Sequence, residues 1–227
     1  PSSGNHAQGV AAAAAALNIS ATLVMPQDAP KEKIKGVHFY GGKIVYYDRL
    51  KQNRMDIAEN ISKHENSTII PPYDHKDIII GQGTVGLEAM EQMEEIDVKP
   101  DIVFCCCGGG GLIAGISSAL KAKYPDLPIH PVEPENWDDT KLSLNTGKIH
   151  EIRNKKISIC DALLAERPGN LTFSINKKLL SYGITVSDKQ VLKGINIAFS
   201  WFKIKVEPGG VVALTACLSN TELIKKK

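Results

Sequence analysis

Short apolar runs rich in Val, Ile and Thr alternate along the chain with longer segments of helical period, the pattern of a parallel sheet wrapped by helices. It predicts a helix over Asn5–Leu17, a strand over Ala21–Met25, a helix over Pro30–Tyr40 ended by Gly41-Gly42, and a strand over Lys43–Tyr47. A charged helix, Arg54–Glu65, leads to a strand at Ser67–Ile70. The polar, proline-bearing run Pro71-Pro72-Tyr73-Asp74-His75 then reads as a connection. A domain boundary is expected there, with a smaller α/β domain over residues 1–70 and a larger one over residues 71–227. Beyond it the pattern predicts a helix over Gly83–Ile96, a buried strand over Asp101–Cys107, a helix over Gly110–Lys123 and a strand over Ile129–Glu133, together one βαβ unit. Weaker helical segments follow Asp139, with a short strand near Gly183–Val186 and a helix over Lys189–Lys203. The fold class is α/β, two domains of open, twisted, mostly parallel sheets flanked by helices.

Composition narrows the function classes. The chain has 227 residues, 43% of them hydrophobic, with 27 basic and 25 acidic side chains giving a formal net charge of +2. These charges are interspersed and form no cationic stripe, so nucleic acid is not an expected partner. The terminal run Lys225-Lys226-Lys227 reads as a solvated helix end and is assigned no function. No stretch reaches the roughly 18 to 20 apolar residues of a membrane span, and no secretory signal pattern is present, so no membrane association and a cytoplasmic location are expected. The five cysteines, three consecutive at Cys105, Cys106 and Cys107, have neither disulfide-framework nor zinc-site spacing and read as reduced, buried residues.

The strongest chemical signal is Cys107-Gly108-Gly109-Gly110-Gly111-Leu112, between a predicted strand and a predicted helix. Glycines let the backbone turn tightly, remove side chains that would keep a ligand away, and leave amide N–H groups aimed at an anion near the positive end of the helix. This loop suits a phosphate. Gly109-x-Gly111-x-x-Ala114, with Glu133 ending the next strand, also satisfies the dinucleotide-binding pattern, which keeps a nicotinamide-dependent oxidoreductase as a rival reading.

The opening run Ser2-Ser3-Gly4-Asn5-His6-Ala7-Gln8-Gly9 closely resembles the Asn-bearing loop of fold-type II pyridoxal-phosphate enzymes, particularly threonine/serine dehydratases and serine racemases. Val24-Met25-Pro26 with Ala29-Pro30-Lys31, Pro72 through Gln82-Gly83-Thr84, the four-glycine loop, Val132-Glu133-Pro134 and Glu207-Pro208-Gly209-Gly210 follow in the family's order, so the resemblance covers nearly the whole chain. It implies a tryptophan-synthase-β-like fold with pyridoxal 5'-phosphate as cofactor. Asn5 would donate to the phenolic oxygen of the cofactor ring, Gly108, Gly109, Gly110, Gly111 and Leu112 would present amides to its phosphate, and Glu207, in a glycine-bearing turn, would lie near the ring. Ser2, Ser3, Gly4 and His6 would close on the substrate carboxylate, and Ser3 would be the catalytic acid–base on one face of the substrate carbon. The same Ser-Ser-Gly-Asn run is also an ordinary helix N-cap sequence. Glu133 and Asp139, with the Trp137 carbonyl, match the divalent-cation site found in serine racemases and some relatives, where hard oxygen ligands suit Mg2+ or Ca2+.

The expected reaction is α,β-elimination of L-threonine or L-serine to a 2-oxo acid and ammonia, a step of amino-acid metabolism such as isoleucine biosynthesis. Serine racemisation is the close alternative, and the resemblance implies a homodimer or homotetramer acting on a small amino acid. The family's Schiff-base lysine lies in a Ser-Phe-Lys-like segment upstream of the Ser-Ser-Gly-Asn loop, and no lysine in this sequence has that context. The partner of the pyridine nitrogen follows the Glu-Pro-Gly helix, beyond Lys227. The chain is therefore expected to be an inactive fragment of a larger coding unit, marginal or aggregation-prone alone, or else a non-catalytic cofactor-binding remnant.

Overall fold

In the computed structural model, which describes residues 2, 4–48 and 51–225, the chain divides into two compact units, Pro1–Pro72 and Tyr73–Lys227. The first contains α1 (Asn5–Ala16), β1 (Thr22–Pro26), α2 (Lys31–Phe39), β2 (Lys43–Tyr47) and α3 (Arg54–Glu65). β1 and β2 run parallel, from Thr22 opposite Lys43 to Pro26 opposite Tyr47. The alanine run of α1 gives this small unit a thin apolar contact: Ala7 and Ala11 pack with Leu23, Met25 and Val37. Val24, of opposite parity on β1, packs with Tyr47 and Ala58 of α3.

The expected strand at Ser67–Ile70 is absent from both sheets. Asn66 leaves α3 in the left-handed region at φ 49°, and the backbone of Ser67 closes the helix end, its N–H donating to the Ser62 carbonyl at 3.0 Å. The apolar run still packs, through Ile69, without a ladder to join.

The second unit is built on a parallel sheet ordered β3 (Val103–Cys106), β4 (Ile129–Pro134), β5 (Ile184–Val186). Its strands are covered on both sides, which is why they read as apolar runs. Cys105 and Cys107 enter one cluster with Met90, Ile113, Leu120 and Ile129, while Phe104 and Cys106 face the other, which holds Val132, Val186, Val191, Val211 and Val212. All five cysteines are free thiols. The helices are α4 (Lys76–Glu95), α5 (Gly111–Lys123), α6 (Asp139–Thr146), α7 (Asn170–Leu179), α8 (Asp188–Phe202), α9 (Pro208–Ser219) and α10 (Thr221–Lys225). Among the described residues, no helix is long and apolar enough to cross a membrane.

Helix α4 begins two turns earlier than the pattern predicts. Ile78-Ile79-Ile80, Gly81 and Gly83 are weak helix formers, but His75 caps the helix by accepting from the Asp77 N–H, and packing against α5 outweighs propensity. Gly83 and Gly115 let the two backbones touch: a methyl group on Gly115 would collide with main-chain atoms of Ile79, Gln82 and Gly83. Main chain cannot swing aside as a side chain does. Gly115→Ala is therefore expected to destabilise the larger unit by at least about 2 kcal/mol, read as a lower urea midpoint, whereas Gly81→Ala, with no atom near its added methyl, is expected to be neutral or stabilising.

Candidate active site

The site residues of the first unit gather at the N-terminus of α1. Gly4 is its N-cap, with no side-chain cap bond, and the Ser2 hydroxyl instead accepts from the Gly4 N–H at 3.2 Å. The Ser2 N–H donates to the Val24 carbonyl at 3.0 Å, which ties the loop to β1. Asn5 is exposed on the first turn. The His6 ring pairs through Nε2 with the Ile70 carbonyl at 3.3 Å, and burial lowers its pKa, favouring the neutral tautomer that donates there. Beneath the loop lies Lys33, a buried lysine whose methylene stem occupies the space where a Gly4 side chain would stand. Sequence reasoning passed over Lys33 because a lysine on an amphipathic helix ordinarily faces water. Ser3, the expected catalytic residue, lies outside the described residues.

In the second unit the glycine loop joins β3 to α5 and adopts the strand–loop–helix arrangement a phosphate cradle requires. The Cys107 N–H donates to the Val132 carbonyl at 2.9 Å, which fixes the loop's start. Gly110 takes φ 90°, a conformation that favours glycine. The first helical bond of α5 is Ala114 N–H to the Gly110 carbonyl at 3.0 Å, so the amides of Gly111, Leu112 and Ile113 precede the helical ladder. The Tyr73 ring stacks on Gly109, and a Cβ there would overlap it, while the Tyr73 Cα would lie 2.9 Å from a Cβ on Gly111. Glycine-only backbone, unladdered amides and an aromatic wall fit the phosphate of pyridoxal phosphate. Tyr73 was read from sequence as part of a connection; an aromatic directly after a double proline was the available signal.

Glu207 is the half-buried N-cap of α9, so the expected glycine turn is the first turn of a helix. Proline at N1 and the close approach of Gly209 to Leu163, 3.3 Å from a Cβ placed on it, set the helix there. A groove of about 360 Å³ between α4, α5 and α7 is apolar and contains none of the expected site residues.

Glu133 and Asp139 form the electrostatic anomaly of this unit. Both side chains are fully buried. Glu133 is the penultimate residue of β4, and its two oxygens accept the Thr140 and Lys141 N–H groups of α6 at 2.8 Å each. This use of the α6 amides keeps Glu133 from facing a ribose, which removes the residue on which the dinucleotide reading leaned. Asp139 has no hydrogen-bond partner for either carboxylate oxygen among the described residues. Burial raises its carboxyl to about 8 and raises Glu133 well above the usual range, with the Asp139 charge adding. Trp137 is anchored by its indole N–H on the Lys156 carbonyl at 2.8 Å. Orphaned buried oxygens of this kind fit a hard divalent cation, with water completing the shell. Among the described residues, no group of three or more His, Cys, Asp and Glu side chains could hold a metal ion, so Glu133 and Asp139 stand as a pair of carboxylates without a third such side chain.

Over residues 1–227 the chain matches the family described as pyridoxal-phosphate dependent enzyme. The chain belongs to this family. It is 39% identical over 226 residues to serine racemase of Schizosaccharomyces pombe, covering 100% of this chain and 68% of that protein. To L-threo-3-hydroxyaspartate ammonia-lyase of a Pseudomonas species it is 38% identical over 215 residues, covering 95% of this chain and 66% of the relative. The crystal structure of a T.th. threonine deaminase superposes with a TM-score of 0.92 at 37% identity, covering 98% of this chain and 71% of that one. The chain spans about two thirds of the length of these curated relatives. The α/β fold and the pyridoxal-phosphate cofactor are those of the family, and the flanking-helix architecture read from the sequence is that of its solved members.

The carboxylate pair generates a pH prediction. A raised carboxyl keeps its proton in the folded state where the unfolded chain has released it, so in chelator the folded state is expected to lose stability as pH rises from about 4 to about 8. Thermal melts should show Tm falling across that window, Mg2+ or Ca2+ restoring it at pH 8 but not at pH 5, and Asp139→Asn flattening the slope. A Tm rising with pH in chelator would contradict the assignment.

Proposed function

We propose that this chain carries the cofactor-phosphate and substrate-loop elements of an enzyme that eliminates water from L-threonine or L-serine to give a 2-oxo acid and ammonia. The observation that carries the reading is the Gly108–Gly111 loop entering α5, with Gly110 at φ 90° and glycine surfaces covered by Tyr73. Gly108, Gly109, Gly110, Gly111 and Leu112 would bind the phosphate through their amides, Asn5 would hold the phenolic oxygen of the cofactor, and Glu207 would lie near its ring. When bound, pyridoxal phosphate supplies an electron sink that makes the α-proton of an amino acid acidic. Ser2, Gly4 and the N-terminus of α1 would hold the substrate carboxylate, where unladdered amides favour an anion. His6, neutral and fixed on Ile70, would orient the loop, and Ser3 would move a proton at the substrate carbon. A homodimer or homotetramer in the cytoplasm is the setting proposed for the reaction.

Serine racemisation is the second reading, supported by the orphaned Asp139 carboxylate beside Glu133, which resembles the Mg2+ or Ca2+ site of serine racemases and some relatives. In that reading Glu133, Asp139 and the Trp137 carbonyl would hold the ion as a structural brace for β4 and α6.

The test combines cofactor titration with assays of 2-oxo acid release and D-serine formation. The 227-residue chain is expected to bind pyridoxal phosphate saturably and to form no borohydride-fixed adduct, since no lysine in it has the family's context. Asn5→Ala should weaken that binding about tenfold, the effect of losing roughly 1.4 kcal/mol. Turnover by this chain alone would show that another of its lysines serves, and absence of any cofactor binding would sink the reading.

A further inference from the structure

The glycine loop is gripped from one side by a single helix. Thr172 donates its hydroxyl to the Gly109 carbonyl at 2.8 Å, and Asn176 donates its side-chain N–H to the Gly110 carbonyl at 3.2 Å. The Gly169 N–H adds a bond to the Gly109 carbonyl at 3.3 Å. Thr172 and Asn176 are four residues apart on α7, hence on one face of it, and both are fully buried. The helix is fixed in turn by Asp74, whose carboxylate accepts the N–H groups of Asn170, Leu171 and Thr172 at 2.9, 2.9 and 3.1 Å. The remaining oxygen of the Asn176 side chain has no hydrogen-bond partner among the described residues. A leucine of similar size would fill this space without burying an unmatched acceptor, so the amide is accounted for by its bond to Gly110.

Peptide planarity turns these contacts into a statement about function. In a trans peptide, the carbonyl of one residue and the N–H of the next point in opposite directions. Drawing the Gly109 carbonyl toward α7 therefore turns the Gly110 N–H away from it, and the Gly110 carbonyl, shared between Asn176 and the Ala114 N–H of α5, fixes the direction of the Gly111 N–H. Glycines have no side chains to fix that direction and sample both signs of φ, so an unheld loop would scatter its donors.

We propose that Thr172 and Asn176 are positioning residues that aim the Gly110 and Gly111 amides at the cofactor phosphate, with Asp74 holding α7 in register. The inference rests on the reading that this loop binds that phosphate. The experiment compares affinities for pyridoxal phosphate and for pyridoxal, which lacks the phosphate, in the full chain and in Thr172→Val, Asn176→Leu and Thr172→Ser. Glycine-labelled amide spectra report Gly108–Gly111 in parallel.

The parent chain and Thr172→Ser are expected to prefer pyridoxal phosphate and to shift the Gly110 and Gly111 amide signals on binding it. Thr172→Val and Asn176→Leu should each cut the preference about tenfold while leaving pyridoxal affinity unchanged, a split that general loosening would not produce. Should one variant fail to fold, the other carries the test. An undiminished preference in folded variants would overturn the positioning role alone. A parent chain with no preference would overturn the phosphate assignment and the positioning role together.

Discussion

Four consecutive glycines cannot hold themselves, and the larger unit is arranged around that constraint. A glycine loses more conformational freedom on ordering than any other residue, so the turn between β3 and α5 takes its shape from what presses on it. Tyr73 covers one surface, β4 receives the preceding amide, and α7 takes two successive carbonyls. The direct backbone contact of α4 with α5 at Gly83 and Gly115 fixes the helix that the loop feeds. Each support comes from a different stretch of sequence, and together they make a flexible sequence into a fixed array of donors.

The second organising feature is electrostatic. Two carboxyl groups are buried where β4 meets α6, one satisfied by helix amides and the other by nothing among the described residues. Burial resolves the cost by raising both pKa values, so the pair is tolerable as neutral acids and becomes demanding as anions. A divalent ion answers the same demand with charge. Under the proposed cation site, proton and metal would compete for one small volume at the C-terminal end of the central strand.

The parts of the fold legible in the sequence were those whose residues report local geometry. β2 and α3 fall at the predicted residues, and α1, β1, β4 and α5 fall within a residue or two, because periodicity and Gly, Pro or Asn punctuation act over a few positions. Ser67–Ile70 shows the limit: four residues of strand composition form no strand when the backbone is used to cap α3. The start of α4 was hidden for the converse reason, since Ile and Gly are poor helix formers that only the contact with α5 keeps helical. In the candidate site, the glycine loop stood out by composition, and Glu133 and Asp139 were singled out together only through the family resemblance. Tyr73, Asp74, Thr172 and Asn176 did not, because their roles depend on partners dozens of residues away and no spacing rule connects them.

Those long separations have a temporal side. Asp74 bonds to amides of residues 170, 171 and 172, 96 to 98 positions further along, and the glycine loop is held by Thr172 and Asn176 from 63 and 66 positions away. During synthesis the loop leaves the ribosome well before the helix that orients it, and contacts of such separation form late because a long segment must first be closed. For that interval the β3–α5 turn exists as a string of glycines without a preferred direction. The loop's proposed array of amides is thus expected to form at one step, once α7 has cleared the ribosome and folds back onto it.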